Sequence, residues 1–120
     1  MAARGGTVLF KRSQMQFGPY GGPPGEATIA RLVGPDMSSS MGAGIATFDG
    51  CSIEWTVLYD ELIVVLKGRF RLRVGDEVFE GGPGDVIWIP EGTALKYEGE
   101  KAEVFYTLHP VDWRKRHGLA

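Results

Sequence analysis

A single cysteine, Cys51, stands in 120 residues, so no internal disulfide can form and no thiolate cluster can hold a metal. A lone thiol is core filler far more often than nucleophile, and its isolation points to a reducing, cytoplasmic setting. Histidine is nearly as scarce, with only His109 and His117. No run of roughly 18 apolar residues occurs, which excludes a membrane-spanning helix, and the stretch from Met1 to Gly6 lacks the apolar core of an export signal. Charge of one sign is missing too. Thirteen basic against 15 acidic residues leave −2, with an isoelectric point near 5.7, so no net field draws the chain to nucleic acid or an anionic membrane.

Glycine is what the chain has in excess. Eighteen Gly and seven Pro, without a three-residue period, indicate many tight turns, and therefore β structure rather than collagen. From Gly42 onward, apolar runs of five to eight residues alternate with turn chemistry such as Asp49-Gly50, Lys67-Gly68, Gly81-Gly82-Pro83-Gly84, Pro90-Glu91-Gly92 and Glu98-Gly99-Glu100. Strands at that spacing build an all-β sandwich or barrel. No apolar spacing of three and four residues persists between 42 and 109, so helix is confined to a short turn over Val111 to His117. Three stretches follow: residues 1–25, an N-terminal strand at Val8-Leu9-Phe10 and a Gly/Pro-rich arm; 26–113, the barrel; and 114–120, a basic, solvated tail. Arg69, Arg71 and Arg73 alternate with Phe70, Leu72 and Val74, which reads as a solvated outer sheet face more readily than as a phosphate reader. Val86–Ile89 and Glu103–Leu108 lack such alternation, so burial on both faces is expected, with a second sheet or subunit covering them.

Two stretches carry a resemblance. Gly50 to Gly68 is similar to the first cupin motif, in which a His-x-His pair is followed after four residues by a glutamate and after six more by a glycine. Glu61 and Gly68 keep their places, while Glu54 and Thr56 stand where the two histidines would be. Gly84 to Leu95 resembles the second motif, with Gly84, Pro90 and Gly92 in register and Leu95 at the place of the remaining histidine. Within cupins, Met41-Gly42-Ala43-Gly44, Trp55-Thr56-Val57-Leu58-Tyr59-Asp60-Glu61 and Pro110-Val111-Asp112-Trp113 are similar to the ethanolamine-utilisation EutQ type. The resemblance implies a small RmlC-like jelly-roll barrel, usually a homodimer, with a pocket between its sheets. It also implies a link to acetate kinase activity and to bacterial microcompartments. Three of the four usual ligands are replaced, the histidines by Glu54, Thr56 and Leu95, and only Glu61 is kept, so no transition-metal cofactor is expected.

Read from the residues, Glu54 and Thr56 share one strand face, and five positions separate Thr56 from Glu61, so an unbroken strand would point those two oppositely. A turn or bulge near Leu58-Tyr59-Asp60 would bring Glu54, Thr56 and Glu61 together inside the barrel and send Trp55 outward, into a subunit contact. Leu95 and Tyr97 share a face and point inward with them. On this reading Glu54 and Glu61 are a carboxylate pair whose repulsion raises one pKa, suited to general acid–base work. Thr56, Tyr59, Asp60, Leu95 and Tyr97 then contact a small polar ligand. A hard cation such as Mg²⁺ or Mn²⁺ on oxygen ligands is the alternative use of the same groups. A further alternative is structural: Glu61 closes the strand turn, Glu54 is solvated, and the protein is a non-catalytic sensor or dimer. Asp60 is explained equally by a turn cap, and His109 by a place at the rim.

Overall fold

The computed structural model describes residues 6–119. Among these residues eight strands follow one another: β1 (Gly18–Pro19), β2 (Glu26–Val33), β3 (Gly42–Asp49), β4 (Ser52–Thr56), β5 (Asp60–Val74), β6 (Glu77–Gly81), β7 (Val86–Ile89) and β8 (Ala94–His109). A 3-10 turn (Arg12–Gln14) precedes them, and the short helix α1 (Trp113–Arg116) closes the chain. All pairings are antiparallel. Among the described residues, no helix is long and apolar enough to cross a membrane.

The jelly roll is organised by its two longest strands. The first half of β5 and the second half of β8 pair with each other and with β7 and β3, extending one sheet through β2 to β1. The other halves, Phe70–Val74 and Ala94–Glu98, pair with β6 and β4 in the facing sheet. Lys67-Gly68 and Glu98-Gly99-Glu100 are therefore not turns between short strands, as their composition suggests, but bends within long ones. Two register shifts in β5 flank Lys67, and Lys101 of β8 takes a positive φ at the same level. There the inward-facing set changes phase, from Val65 to Phe70 in β5 and from Tyr97 to Ala102 in β8. A bulge is how a strand re-aims its side chains while staying paired. Gly68 is required at this bend, because φ is +71° and a Cβ would lie 2.1 Å from the Lys101 carbonyl oxygen.

Between the sheets lies one core, with Phe70, Val65 and Val57 sealed from solvent. Phe48 stacks on Tyr97 at 5.6 Å and tilts against Phe70 at 5.4 Å; each such aromatic pair is worth about 1 kcal/mol beyond the area it buries. Cys51 is buried and unpaired, as a core filler should be. The three arginines of β5 point out, each bound to a carboxylate: Arg69 to Glu80, Arg71 to Glu100 and Arg73 to Glu98, all at 3.1 Å.

Several expectations change here. The arm does not begin with a strand: Val8 and Leu9 are exposed coil, and the strand that docks on β2 is Gly18–Pro19, where an edge tolerates proline. The arm instead crosses the outer face of β8, where Arg12 pairs with Glu103 at 3.1 Å and lies over the Phe17 ring. Double-sided burial therefore holds for Ala102 to Val104 but not for β7, where Val86 and Trp88 are exposed on the outer face. Asp112 stands at the N-cap position of α1 without a side-chain capping bond, and its carboxylate instead accepts from Arg116 Nε at 2.7 Å.

Candidate functional site

One end of the barrel opens into a cavity of about 580 Å³, within the usual range for small-molecule sites. Its walls follow from strand parity. The positions Ile53, Trp55, Val57, Tyr59, Glu61, Ile63 and Val65 all turn inward, so the two-residue period runs unbroken through the bend between β4 and β5. Val57 holds the bend in phase by accepting from the Gly92 amide at 2.8 Å and donating to the Thr93 carbonyl at 3.0 Å. The phase change expected near Leu58-Tyr59-Asp60 does not occur there; it comes at Gly68.

The consequences for the candidate residues are direct. Glu61, Tyr59 and Tyr97 come together in the cavity. Glu54 and Thr56 do not join them: both are exposed on the outer side of β4, Glu54 reaching only the cavity's edge. Turning Glu54 and Thr56 inward would expose Ile53, Trp55 and Val57, at a cost of roughly 1.5–3 kcal/mol for each large apolar side chain. Trp55 accordingly faces inward, into the cavity, rather than outward. Leu95 is buried but belongs to the core, away from the cavity lining. Asp60 ties the neighbouring turn, accepting from the Glu91 amide at 2.8 Å, which is the turn-cap role. His109 is exposed at the end of β8.

Glu61 is thus a single buried carboxyl rather than half of a pair. The Tyr97 hydroxyl donates to its Oε1 at 2.7 Å. Among the described residues no buried side-chain oxygen lacks a partner, so Oε2, which receives no hydrogen bond from them, opens into the cavity. Burial pushes the Glu61 carboxyl up to about 7, against a smaller opposing effect of the Tyr97 hydrogen bond; Glu54 plays no part in the shift. Burial, reinforced by the Glu61 charge, holds the Tyr59 and Tyr97 phenols well above their usual range. Trp55 Nε1 donates to the Tyr59 hydroxyl at 3.1 Å, fixing that ring. Trp113 of α1 then packs on both, 5.1 Å from Tyr59 and 5.9 Å from Trp55, to form the cavity's aromatic rim.

Among the lining groups that the sequence reading did not assign to the site are Tyr20, Tyr106 and Trp113. Tyr106 was accessible through its spacing of two from Val104 and Leu108. Tyr20 sits in the Gly/Pro arm, where no periodicity marks a direction.

A resident metal does not fit this donor set. Among the described residues, no group of three or more His, Cys, Asp or Glu side chains converges. The all-oxygen alternative needed Glu54 and Thr56 beside Glu61, and strand parity turns both away.

The family model for ethanolamine utilisation protein EutQ matches residues 3–115. The chain belongs to the EutQ family. It is similar to acetate kinase EutQ of Salmonella typhimurium, at 30% identity over 116 residues that cover 95% of this chain and 51% of that protein. The chain thus spans about half the length of the curated relatives it matches. The solved structure of the Salmonella typhimurium ethanolamine utilisation protein superposes with a TM-score of 0.79 at 30% identity, covering 86% of this chain and 85% of that one. An RmlC-like cupin from Shewanella frigidimarina shares the fold, at TM-score 0.71 and 15% identity over 88% of this chain and 92% of that one. This EutQ-family chain is therefore a cupin barrel, and its departure from the histidine ligand set is a property of a barrel whose interior carries a lone carboxyl.

Proposed function

We propose that this EutQ-family cupin binds a small polar metabolite in its barrel and moves a proton on it through Glu61, with Tyr97 as the group that positions the carboxyl. The observation that carries this reading is a cavity-facing carboxyl oxygen on a group that titrates at about 7. Such a group populates both protonation states at neutral pH, the condition under which one side chain can serve as acid or base. Tyr97 occupies one oxygen and leaves Oε2 to meet the substrate. An unbiased thermal-shift screen of polar metabolites tests the reading. A hit should shift the melting temperature of the wild type, and Glu61→Gln and Tyr97→Phe should each weaken that shift; a hit whose binding ignores both substitutions overturns it.

The acetate kinase activity named for the relatives ranks below this reading for the present chain. The glycine-rich run Gly81-Gly82-Pro83-Gly84 closes the turn between β6 and β7 through the Asp85 carboxylate, which accepts from the Gly82 amide at 2.9 Å. Acetyl hydroxamate formation from acetate, ATP and Mg²⁺ would reverse that ranking.

A homodimer is part of the same proposal, but through a surface other than Trp55. Leu62 stands beside Trp88 and Val64 beside Val86 on the outer face, and Trp88 is 60% exposed. A second copy covering this patch removes a contiguous apolar surface from water. Sedimentation of the wild type should give a dimer at micromolar concentration, and Trp88→Glu a monomer; a wild-type monomer refutes the contact. The unpaired, buried Cys51 supports a reducing cytoplasm as the place where this occurs.

A further inference from the structure

The charges around the cavity are not distributed like those on the rest of the surface. Of the seven arginines among the described residues, five are bound to carboxylates: Arg12, Arg69, Arg71, Arg73 and Arg116. The two without such a partner among the described residues, Arg31 and Arg114, both line the cavity. They reach it from opposite ends of the chain. Arg31 comes from β2, two residues on from the cavity-lining Ile29 and just before the register shift that precedes Val33, and Arg114 from α1. Both act electrostatically on the Tyr20 phenol, and so does Glu61, so the basic rim and the carboxyl lie within Coulomb range of one side chain. Lys115 adds a third positive group to the rim. Of the two acids there, Asp112 is already held by Arg116 at 2.7 Å, which leaves Glu54 as the one opposing charge.

Between rim and floor the wall is aromatic. Trp55, Tyr59 and Trp113 meet at 5.1 to 5.9 Å, and Phe48 and Tyr97 continue the surface inward. Arg114 itself stacks on the Trp113 ring, 4.7 Å from its centroid, which leaves the N–H edge of the guanidinium free to bind an oxyanion.

We propose that the metabolite is an amphipathic oxyanion: a carboxylate or phosphate head held by Arg31 and Arg114 at the rim, and a flat apolar body lying against Trp55, Tyr59 and Trp113 with its far end toward Glu61. This rests on the pocket reading above and adds the chemical class of its occupant. The head group supplies orientation, because only one end of such a molecule is tolerated among cations, and the opposite end is thereby delivered to the carboxyl.

The test uses matched probes. Isothermal titration of the full chain with 2-naphthoate, 2-naphthyl phosphate, uncharged 2-naphthamide and acetate separates head from body. At least one of the two naphthyl anions should bind about tenfold or more tightly than the amide, and more tightly than acetate, as expected for a charge-assisted contact. Arg31→Gln together with Arg114→Gln should erase the preference for the anion while leaving amide binding unchanged. Arg71→Gln, which alters a surface ion pair, should change neither. Equal binding of anion and amide overturns the head-group assignment while leaving the pocket itself standing. Acetate binding as tightly as naphthoate overturns the aromatic body, and no binding by any naphthyl probe overturns this inference together with the enclosed-pocket reading on which it rests.

Discussion

Replacing Glu61 by glutamine should make the protein more stable at alkaline pH, and the size of the effect follows from burial. In the unfolded chain the carboxyl ionises near 4.5, whereas in the barrel it holds its proton up to about 7. Between those values the folded state binds more protons than the unfolded one, so stability falls as pH rises through the window and levels off above it. At about 1.4 kcal/mol per pH unit, the wild type gives up about 3 kcal/mol by pH 8 relative to pH 4.5. For a domain of this size that corresponds to roughly 10 °C in melting temperature. Glutamine keeps an oxygen to accept the Tyr97 hydroxyl but has no proton to lose, so Glu61→Gln should lack the decline. Thermal denaturation of both proteins from pH 5 to 8, followed by circular dichroism, gives the difference curve, in which every other titrating group cancels. A difference that grows with pH to a plateau supports the buried carboxyl. Parallel curves would refute it, because they would mean that Glu61 ionises in the fold as readily as in water.

Two further substitutions probe the neighbours. Tyr97→Phe removes the donor to Glu61 Oε1, so the carboxyl should move further up and the pH-dependent decline extend to higher pH, with about 1–2 kcal/mol lost at neutral pH; an unmoved profile would show that the hydrogen bond does not control the titration. Gly68→Ala must strain the bend, since φ is +71° and its Cβ would sit 2.1 Å from the Lys101 carbonyl oxygen. A loss above ~2 kcal/mol in chemical denaturation is expected, and a near-neutral result would mean that β5 can bend without this glycine.

How far the barrel and its site could be read from the chain turns on one physical quantity, the phase of the two-residue alternation. The jelly roll itself was legible because turn residues and apolar runs are local signals, and because Gly68, Gly84, Pro90 and Gly92 keep their motif positions. Strand length was not legible at Lys67-Gly68 and Glu98-Gly99-Glu100, since a glycine in a bulge and a glycine in a turn have the same local preference, and only cross-strand pairing separates them. Glu61 and Tyr97 face inward as their strand positions suggest, whereas Glu54 and Thr56 face outward. A bend was placed where the motif spacing wanted one, although the residues themselves argued otherwise: Ile53, Trp55, Val57, Tyr59, Ile63 and Val65 are apolar at every alternate position, with Glu61 the sole interruption. Hydrophobic burial acts on all of those side chains together, whereas a pair of polar residues at ligand positions contributes nothing until a ligand arrives, so the apolar series decides the phase. The same reasoning sets Glu61 apart from the rest of the series. An ionisable group in an otherwise unbroken inward series imposes a burial cost that any alkyl side chain would avoid, and here that cost is what brings its titration to neutral pH.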